Sequence, residues 1–253
     1  MRHEKHQALL GVPISNLPIE ALAARAQAAI ATRSTLVVAC ANPHSLVVAQ
    51  SDEAFLEALR DCDEVVADGA GLALGCRLAG MLRSPRITGY DFFQAVMTEL
   101  DRIGGRAFFL GSRPAVLAQI QARAARDFSS VETRVLSPPY GDWSEAESEA
   151  ILQAIRAARP DALWVGMTAP RQEKWVHANA RRLPVPLFGS IGAVFDYYAG
   201  TVRRAPAWYR DRGIEWLYRL VREPRRLWKR TLLSAPVFLW LALCQRLGGA
   251  SRA

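Results

Sequence analysis

Short runs of continuously apolar residues alternate with longer amphipathic runs between residues 19 and 190, and this alternation limits the fold more than any other feature of the chain. The spacing predicts strands at 35–41, 64–67, 107–110, 133–136, 162–165 and 187–190, and helices at 19–32, 51–60, 72–82, 90–103, 115–128, 145–158 and 171–183. A strand that is apolar at nearly every position must be buried on both faces, as in a parallel sheet covered by helices. The expectation is therefore an α/β fold: a Rossmann-like, mainly parallel sheet flanked by helices. Ligands of such a sheet bind in the loops at the carboxyl ends of its strands. Composition agrees, since 51% apolar and 22% charged residues over 253 positions exclude disordered, collagenous and disulfide-dense classes.

Charge divides the chain. Residues 201–253 carry 12 basic and 3 acidic side chains, a net +9, whereas residues 1–200 carry 20 basic and 21 acidic ones. The alternation also stops near Thr201. We therefore divide the chain into an α/β core at 1–205 and a basic, aromatic, helical C-terminal appendage at 206–253. Helices are predicted at 206–220 and 224–246, with Pro206 and Pro224 in first turns. The apolar run 232–244 has 13 residues and contains Pro236, against about 20 needed to span a bilayer. It suits an interfacial helix with arginines on one side and Trp228, Phe238 and Trp240 on the other. The polar start Met1–His6 predicts no secretory leader. Cys40, Cys62, Cys76 and Cys244 form no CxxC pair, so reduced thiols and no metal site are expected.

Six loops carry residue types suited to chemistry. Asn42, after the first predicted strand, orients a loop or a sugar hydroxyl, or simply begins a turn with Pro43. Asp68 precedes Gly69 and Gly71. It either faces a ligand approaching the backbone or caps the helix beginning near Ala70. Arg86, in Arg86-Ile87-Thr88-Gly89-Tyr90-Asp91, holds a phosphate or is a solvated arginine ahead of a Thr-capped helix. Gly111 ends a strand before Ser112-Arg113-Pro114, where free backbone N–H groups suit a phosphate. Pro170-Arg171-Gln172-Glu173 opens a helix, and Glu173 in that first turn favours the helix dipole. Gly189 and Gly192 allow close backbone approach, Asp196 accepts hydroxyls, and Tyr197-Tyr198 belong to packing.

Together these pieces resemble one family, the bacterial WecG/TagA/CpsF glycosyltransferases, over residues 8 to 231. The resemblance runs through Asn42-Pro43, Ala67-Asp68-Gly69, Arg86 to Asp91, Phe109-Leu110-Gly111 and Gly166…Pro170-Arg171-Gln172-Glu173. It continues with Gly192…Phe195-Asp196-Tyr197-Tyr198-Ala199-Gly200, Arg204-Ala205-Pro206-Ala207-Trp208, Gly213 to Leu220, and Glu223-Pro224-Arg225-Arg226.

The resemblance implies an inverting, metal-independent and cofactor-free transfer of a hexose, an N-acetylmannosamine-type sugar or a uronic acid. The sugar moves from a UDP-sugar to a polyprenyl-diphosphate-linked glycan, in cell-wall or exopolysaccharide synthesis. By motif, Asp68 is the general base, with Arg86 and Asn42 as further catalytic residues. Substrate binding falls to Cys40, Gly111, Gln172, Gly192, Asp196, Arg210, Arg219 and Arg225, and Arg226 is a further tail candidate. The family often has Thr at the position of Cys40, and a thiol is the poorer donor. The implied location is the inner face of the plasma membrane, with anionic lipid as a partner and a homo-oligomer compatible. Each tail arginine also suits plain attraction to anionic lipid, worth about 1 kcal/mol. The competing reading, a nucleic-acid-binding module gripping phosphate with the basic tail, leaves the apolar face of 232–244 unexplained. A Rossmann oxidoreductase lacks its GxGxxG fingerprint.

Overall fold

The computed structural model describes residues 7–81, 87–224, 228 and 232–250, with the side chains of residues 210, 211, 249 and 250 excepted. Its order is β1 (Gln7–Leu9), β2 (Val12–Ile14), α1 (Ile19–Thr32), β3 (Leu36–Ala41), α2 (Pro43–Ala49), α3 (Glu53–Arg60), β4 (Glu64–Ala67), α4 (Ala70–Leu78) and α5 (Gly89–Ile103). Then follow β5 (Arg106–Gly111), α6 (Pro114–Asp127), β6 (Glu132–Leu136), α7 (Glu145–Ala158), β7 (Ala162–Gly166), α8 (Arg171–Asn179), a 3-10 turn (Ala180–Arg182) and β8 (Leu187–Ser190). The chain continues through α9 (Val194–Ala199), α10 (Ala207–Asp211), α11 (Glu215–Arg222) and α12 (Ser234–Ala250).

All six predicted strands are present and form one sheet in the order β4-β3-β8-β7-β5-β6. Its four registered pairs, β3–β8, β8–β7, β7–β5 and β5–β6, are parallel. The two edges of the sheet differ in burial, for edge strand β4 is buried at every position. Residues Ala162 to Val165 of central β7 are all buried, whereas edge strand β6 is exposed or half-buried throughout.

Two compact units interleave along the sequence. One comprises Ile19–Ala39 and Gly89–Arg203. In it, Phe108, Leu110, Leu163, Val165 and Phe188 of the sheet pack with Ile151, Ile155 and Val176 of α7 and α8. Aromatic rings form another part of its core, with Phe93 edge-on to Trp164 at 5.2 Å and to Tyr198 at 4.9 Å. Tyr198 is thus a packing residue, as predicted.

The other unit comprises Met1–Pro18, Cys40–Thr88 and Arg204–Ala253. Here β1 and β2 form an antiparallel hairpin, and the N–H of Ser15 just beyond it donates to the Val65 carbonyl of β4 at 2.8 Å. Helix α12 packs on α2 and α4. Phe238 and Ala242, one turn apart, are fully buried, and a methyl group at Gly75 of α4 would overlap the Phe238 ring. Gln245 Nε2 donates to the Ala8 carbonyl at 2.8 Å, and its Oε1 accepts from the Leu10 N–H at 2.7 Å.

The tail departs from expectation in two respects. The single helix predicted over 206–220 is two, because Gly213 takes a left-handed φ of 72° and the Ile214 N–H closes back on the Tyr209 carbonyl at 3.0 Å. Phe238 and Trp240 do not share a face, since Phe238 is core while Trp240 is 64% exposed. The outward stripe is instead Leu233, Val237, Trp240, Leu243 and Leu247 at helical spacing. Pro236 is the third residue of α12 as bounded here. Among the described residues no helix is long and apolar enough to cross a membrane.

Candidate active site

In the unit carrying the tail, Asn42 and Asp68 are each the first residue after a strand, β3 and β4 respectively. The Asp68 N–H donates to the Ala41 carbonyl at 2.8 Å, which ties the two strand ends together. Asn42 caps α2: its Oδ1 accepts from the Ser45 N–H at 3.1 Å, with Pro43 in the first turn. The Asn-Pro pair therefore starts a helix, and the turn chemistry read from the sequence serves as a cap. The amide nitrogen of Asn42 is its remaining donor group. Residue Gly69, with φ 89°, is the cap position of α4 and has no side chain to cap it with. Asp68 lies one residue before that cap position.

Cys40 is half-buried near the end of β3. His44 Nδ1 lies 2.8 Å from the Ser234 hydroxyl, joining α2 to the start of α12. Arg204 donates to the Thr88 hydroxyl at 3.1 Å, a link between two motif residues far apart in sequence. Arg86 and Arg225, together with Arg226, lie outside the described residues. Arg210 belongs to α10, and Arg219 is half-buried on α11.

In the other unit, three loops at the carboxyl ends of β5, β7 and β8 bear the remaining candidates. Gly111 has a φ of 117°, and a methyl group there would lie 2.6 Å from the Gly166 carbonyl oxygen. Only glycine fits that close approach between β5 and β7. After β7, Pro170 caps α8 and the Lys174 N–H donates to its carbonyl at 3.1 Å. Arg171 turns away toward the loop before α7, with its guanidinium 4.5 Å from the Trp143 ring centre and a hydrogen bond to the Gly141 carbonyl.

Gln172 and Glu173 point inward and are 4% and 3% exposed. Gln172 Nε2 donates to Glu173 Oε1 at 2.8 Å. Gln172 Oε1 and Glu173 Oε2 are both buried without a hydrogen-bond partner. A buried acceptor in that state is a place for a ligand's donor group. A methyl group at Gly192, which follows β8, would lie 3.6 Å from both polar atoms of the Gln172 amide. The structure thus brings Gln172 and Gly192 together.

Burial pushes the Glu173 carboxyl up to about 7, against the lowering hydrogen bonds from Gln172 and from its own backbone N–H. The sequence reading placed Glu173 in the first turn as a dipole partner and missed that it is buried. The signal was present: residues 172, 173, 176 and 179 share the buried face of α8 at helical spacing. Asp196, half-buried in the first turn of α9, accepts from the Thr201 hydroxyl at 3.3 Å through Oδ1, and its carbonyl accepts from the same hydroxyl at 3.1 Å. Burial also pushes the Cys76 thiol on α4 up to about 11, so it is a packing residue and not a nucleophile at neutral pH.

Residues 7–252 match the family model described as "Glycosyl transferase WecG/TagA/CpsF family". The chain is similar to an N-acetylglucosaminyldiphosphoundecaprenol N-acetyl-beta-D-mannosaminyltransferase of Bacillus spizizenii, at 30% identity over 81% of this chain and 78% of the relative. It is also similar to proteins of the same name from Bacillus subtilis, at 28% identity over 80% and 77%, and from Staphylococcus aureus, at 25% over 92% and 90%.

Proposed function

Because the chain belongs to the WecG/TagA/CpsF family of glycosyltransferases, we propose that it transfers an N-acetylmannosamine-type sugar from a UDP-sugar to a polyprenyl-diphosphate-linked N-acetylglucosamine in cell-wall polysaccharide synthesis. The observation that carries this reading is the placement of Asp68. It directly follows buried strand β4, is held by its backbone to the end of β3, and stands immediately before the glycine at the cap position of the next helix. Its carboxylate is the general base. It takes the proton from the acceptor hydroxyl as that oxygen bonds to the anomeric carbon. The bond from that carbon to the diphosphate oxygen breaks, and UDP departs with the electron pair. Transfer from an α-linked donor to a β-linked product is one inverting displacement, consistent with the β-linkage in the relatives' names.

The amide nitrogen of Asn42 is the donor group that this residue offers to a substrate oxygen. Cys40 supplies the weaker donor on the same strand end. Gln172 and Asp196, with the bare backbones of Gly111 and Gly192, hold the UDP-sugar. Arg86 and the tail arginines Arg210, Arg219 and Arg225 meet the negative charge that develops on the diphosphate, and so replace a metal.

The protein works while adsorbed to an anionic membrane surface. The outward apolar stripe of α12, with Trp208, Trp216 and Val221 exposed on α10 and α11, supports this mode, as does the tail's excess of basic residues. The function is tested with a panel of UDP-sugars and a short-chain polyprenyl-diphosphate-N-acetylglucosamine acceptor. UDP-N-acetylmannosamine is expected to give the disaccharide lipid. Failure of every UDP-sugar to transfer would refute the reading.

A further inference from the structure

We propose that Glu173 is a positioning residue: its carboxylate holds the Gln172 amide by the nitrogen, so that Gln172 meets its ligand through the carbonyl oxygen and reads an O–H or N–H group there. This rests on the reading that Gln172 touches the UDP-sugar.

The geometry is specific. The two side chains are neighbours in the first turn of α8, both are buried, and Nε2 of one lies 2.8 Å from Oε1 of the other. An ionised carboxyl has no hydrogen to give, so the glutamine can only turn its NH2 group toward it. That choice fixes the opposite end of the amide as an acceptor. Gln172 Oε1 is the atom left buried and unpartnered. Gly192 bounds the space beside the amide with backbone alone, and a side chain grown there would stand 3.6 Å from Oε1. A lone glutamine reads donors and acceptors equally well, because its amide can flip. A glutamine gripped by a carboxylate discriminates against an acceptor at that point, since two facing oxygens repel and remain desolvated.

Four variants of the full chain test the proposal at pH 8, above the carboxyl's titration near 7. They are Gln172→Ala, Glu173→Gln, Glu173→Met and the double variant Gln172→Ala/Glu173→Met. Binding of UDP and of UDP-N-acetylmannosamine is measured by calorimetry, with thermal unfolding as the check on fold. Glu173→Ala replaces Glu173→Met if the latter does not fold. Glu173→Met is expected to weaken UDP-sugar binding about tenfold and to raise KM with little change in kcat. Glu173→Gln keeps an acceptor oxygen in place and is expected to stay within about threefold of wild type. In the Gln172→Ala background, loss of Glu173 is expected to cost less than about twofold, because its effect passes through the missing amide.

Loss already present with UDP alone supports the role with the read group on the nucleotide. Loss confined to the UDP-sugar supports it with the group on the sugar. A Glu173→Met effect of equal size in both backgrounds overturns the positioning role alone, as does a Glu173→Gln loss as large as that of Glu173→Met. Wild-type affinity in Gln172→Ala removes Gln172 from the donor site, and the proposal with it.

Discussion

The ring of Phe238 lies on the bare backbone of Gly75, where even a methyl group would overlap it. The contact makes α12, which itself carries the single basic residue Arg246, a core element of its unit. Phe238→Ala is expected to destabilise the protein by about 3 kcal/mol, the usual result of emptying a fully buried aromatic site. Denaturant unfolding measures it, and a change below about 1 kcal/mol would mean that the helix is not docked on α4.

Trp240, two residues further along the same helix, is expected to behave in the opposite way. It is 64% exposed, so Trp240→Ser should leave stability within about 0.5 kcal/mol of wild type. Sedimentation with anionic liposomes should nevertheless fall several-fold. Raising salt should weaken adsorption of the wild type in part, since screening reduces the charge contribution and leaves apolar burial intact. Unchanged sedimentation of Trp240→Ser would remove the outward stripe of α12 from the membrane surface.

Glu173 gives the protein a pH-dependent stability of definite sign. Burial raises its folded-state value to about 7 from an ordinary 4.5, so the folded protein binds the proton more tightly than the unfolded chain. Its contribution is fully present below about pH 4.5 and is lost as pH rises through about 7. Glu173→Gln stays neutral throughout. Its stability relative to wild type should therefore increase from pH 5 to pH 8, by up to roughly 3 kcal/mol. A difference independent of pH would show that the carboxyl titrates normally.

Gln172→Ala and Asp196→Ala should each weaken UDP-sugar binding, by about tenfold for the loss of one or two hydrogen bonds. Activity should survive EDTA, because arginines are assigned the charge that a metal would otherwise meet. Unchanged UDP-sugar affinity in both variants would misplace the donor site. Loss of activity on chelation, restored by Mg²⁺ or Mn²⁺, would contradict the arginine role.

Much of the fold was legible from the sequence for physical reasons visible in particular elements. The bounds of α1 and α7 match the amphipathic runs at 19–32 and 145–158. At α7 the boundary is sharp because Ser144 and Glu147 form a reciprocal cap. Strands such as β7 stood out because burial on both faces leaves them continuously apolar, whereas edge strand β6 is neither buried nor continuously apolar. The elements that the alternation did not reveal are two very short strands and two short helices: the three-residue strands β1 and β2, the seven-residue α2 and the six-residue α9. None is long enough to show a period. Asp68, Asn42 and Gln172 were visible as motif residues. What the sequence did not yield was orientation: that Asn42 caps its own helix, that Phe238 and Trp240 part company, and that Glu173 is buried against Gln172. Those facts depend on which face of each helix meets the rest of its unit.

The most direct test of the account is turnover by Asp68→Asn. The tie to β3 runs through the backbone N–H of Asp68, so asparagine should keep the strand ends joined and the fold intact. UDP affinity is expected to stay near that of wild type, while transfer from UDP-N-acetylmannosamine to the lipid-linked acceptor falls by about 10²-fold or more. Transfer at the wild-type rate by a folded, UDP-binding Asp68→Asn protein would contradict the assignment of Asp68 as the base.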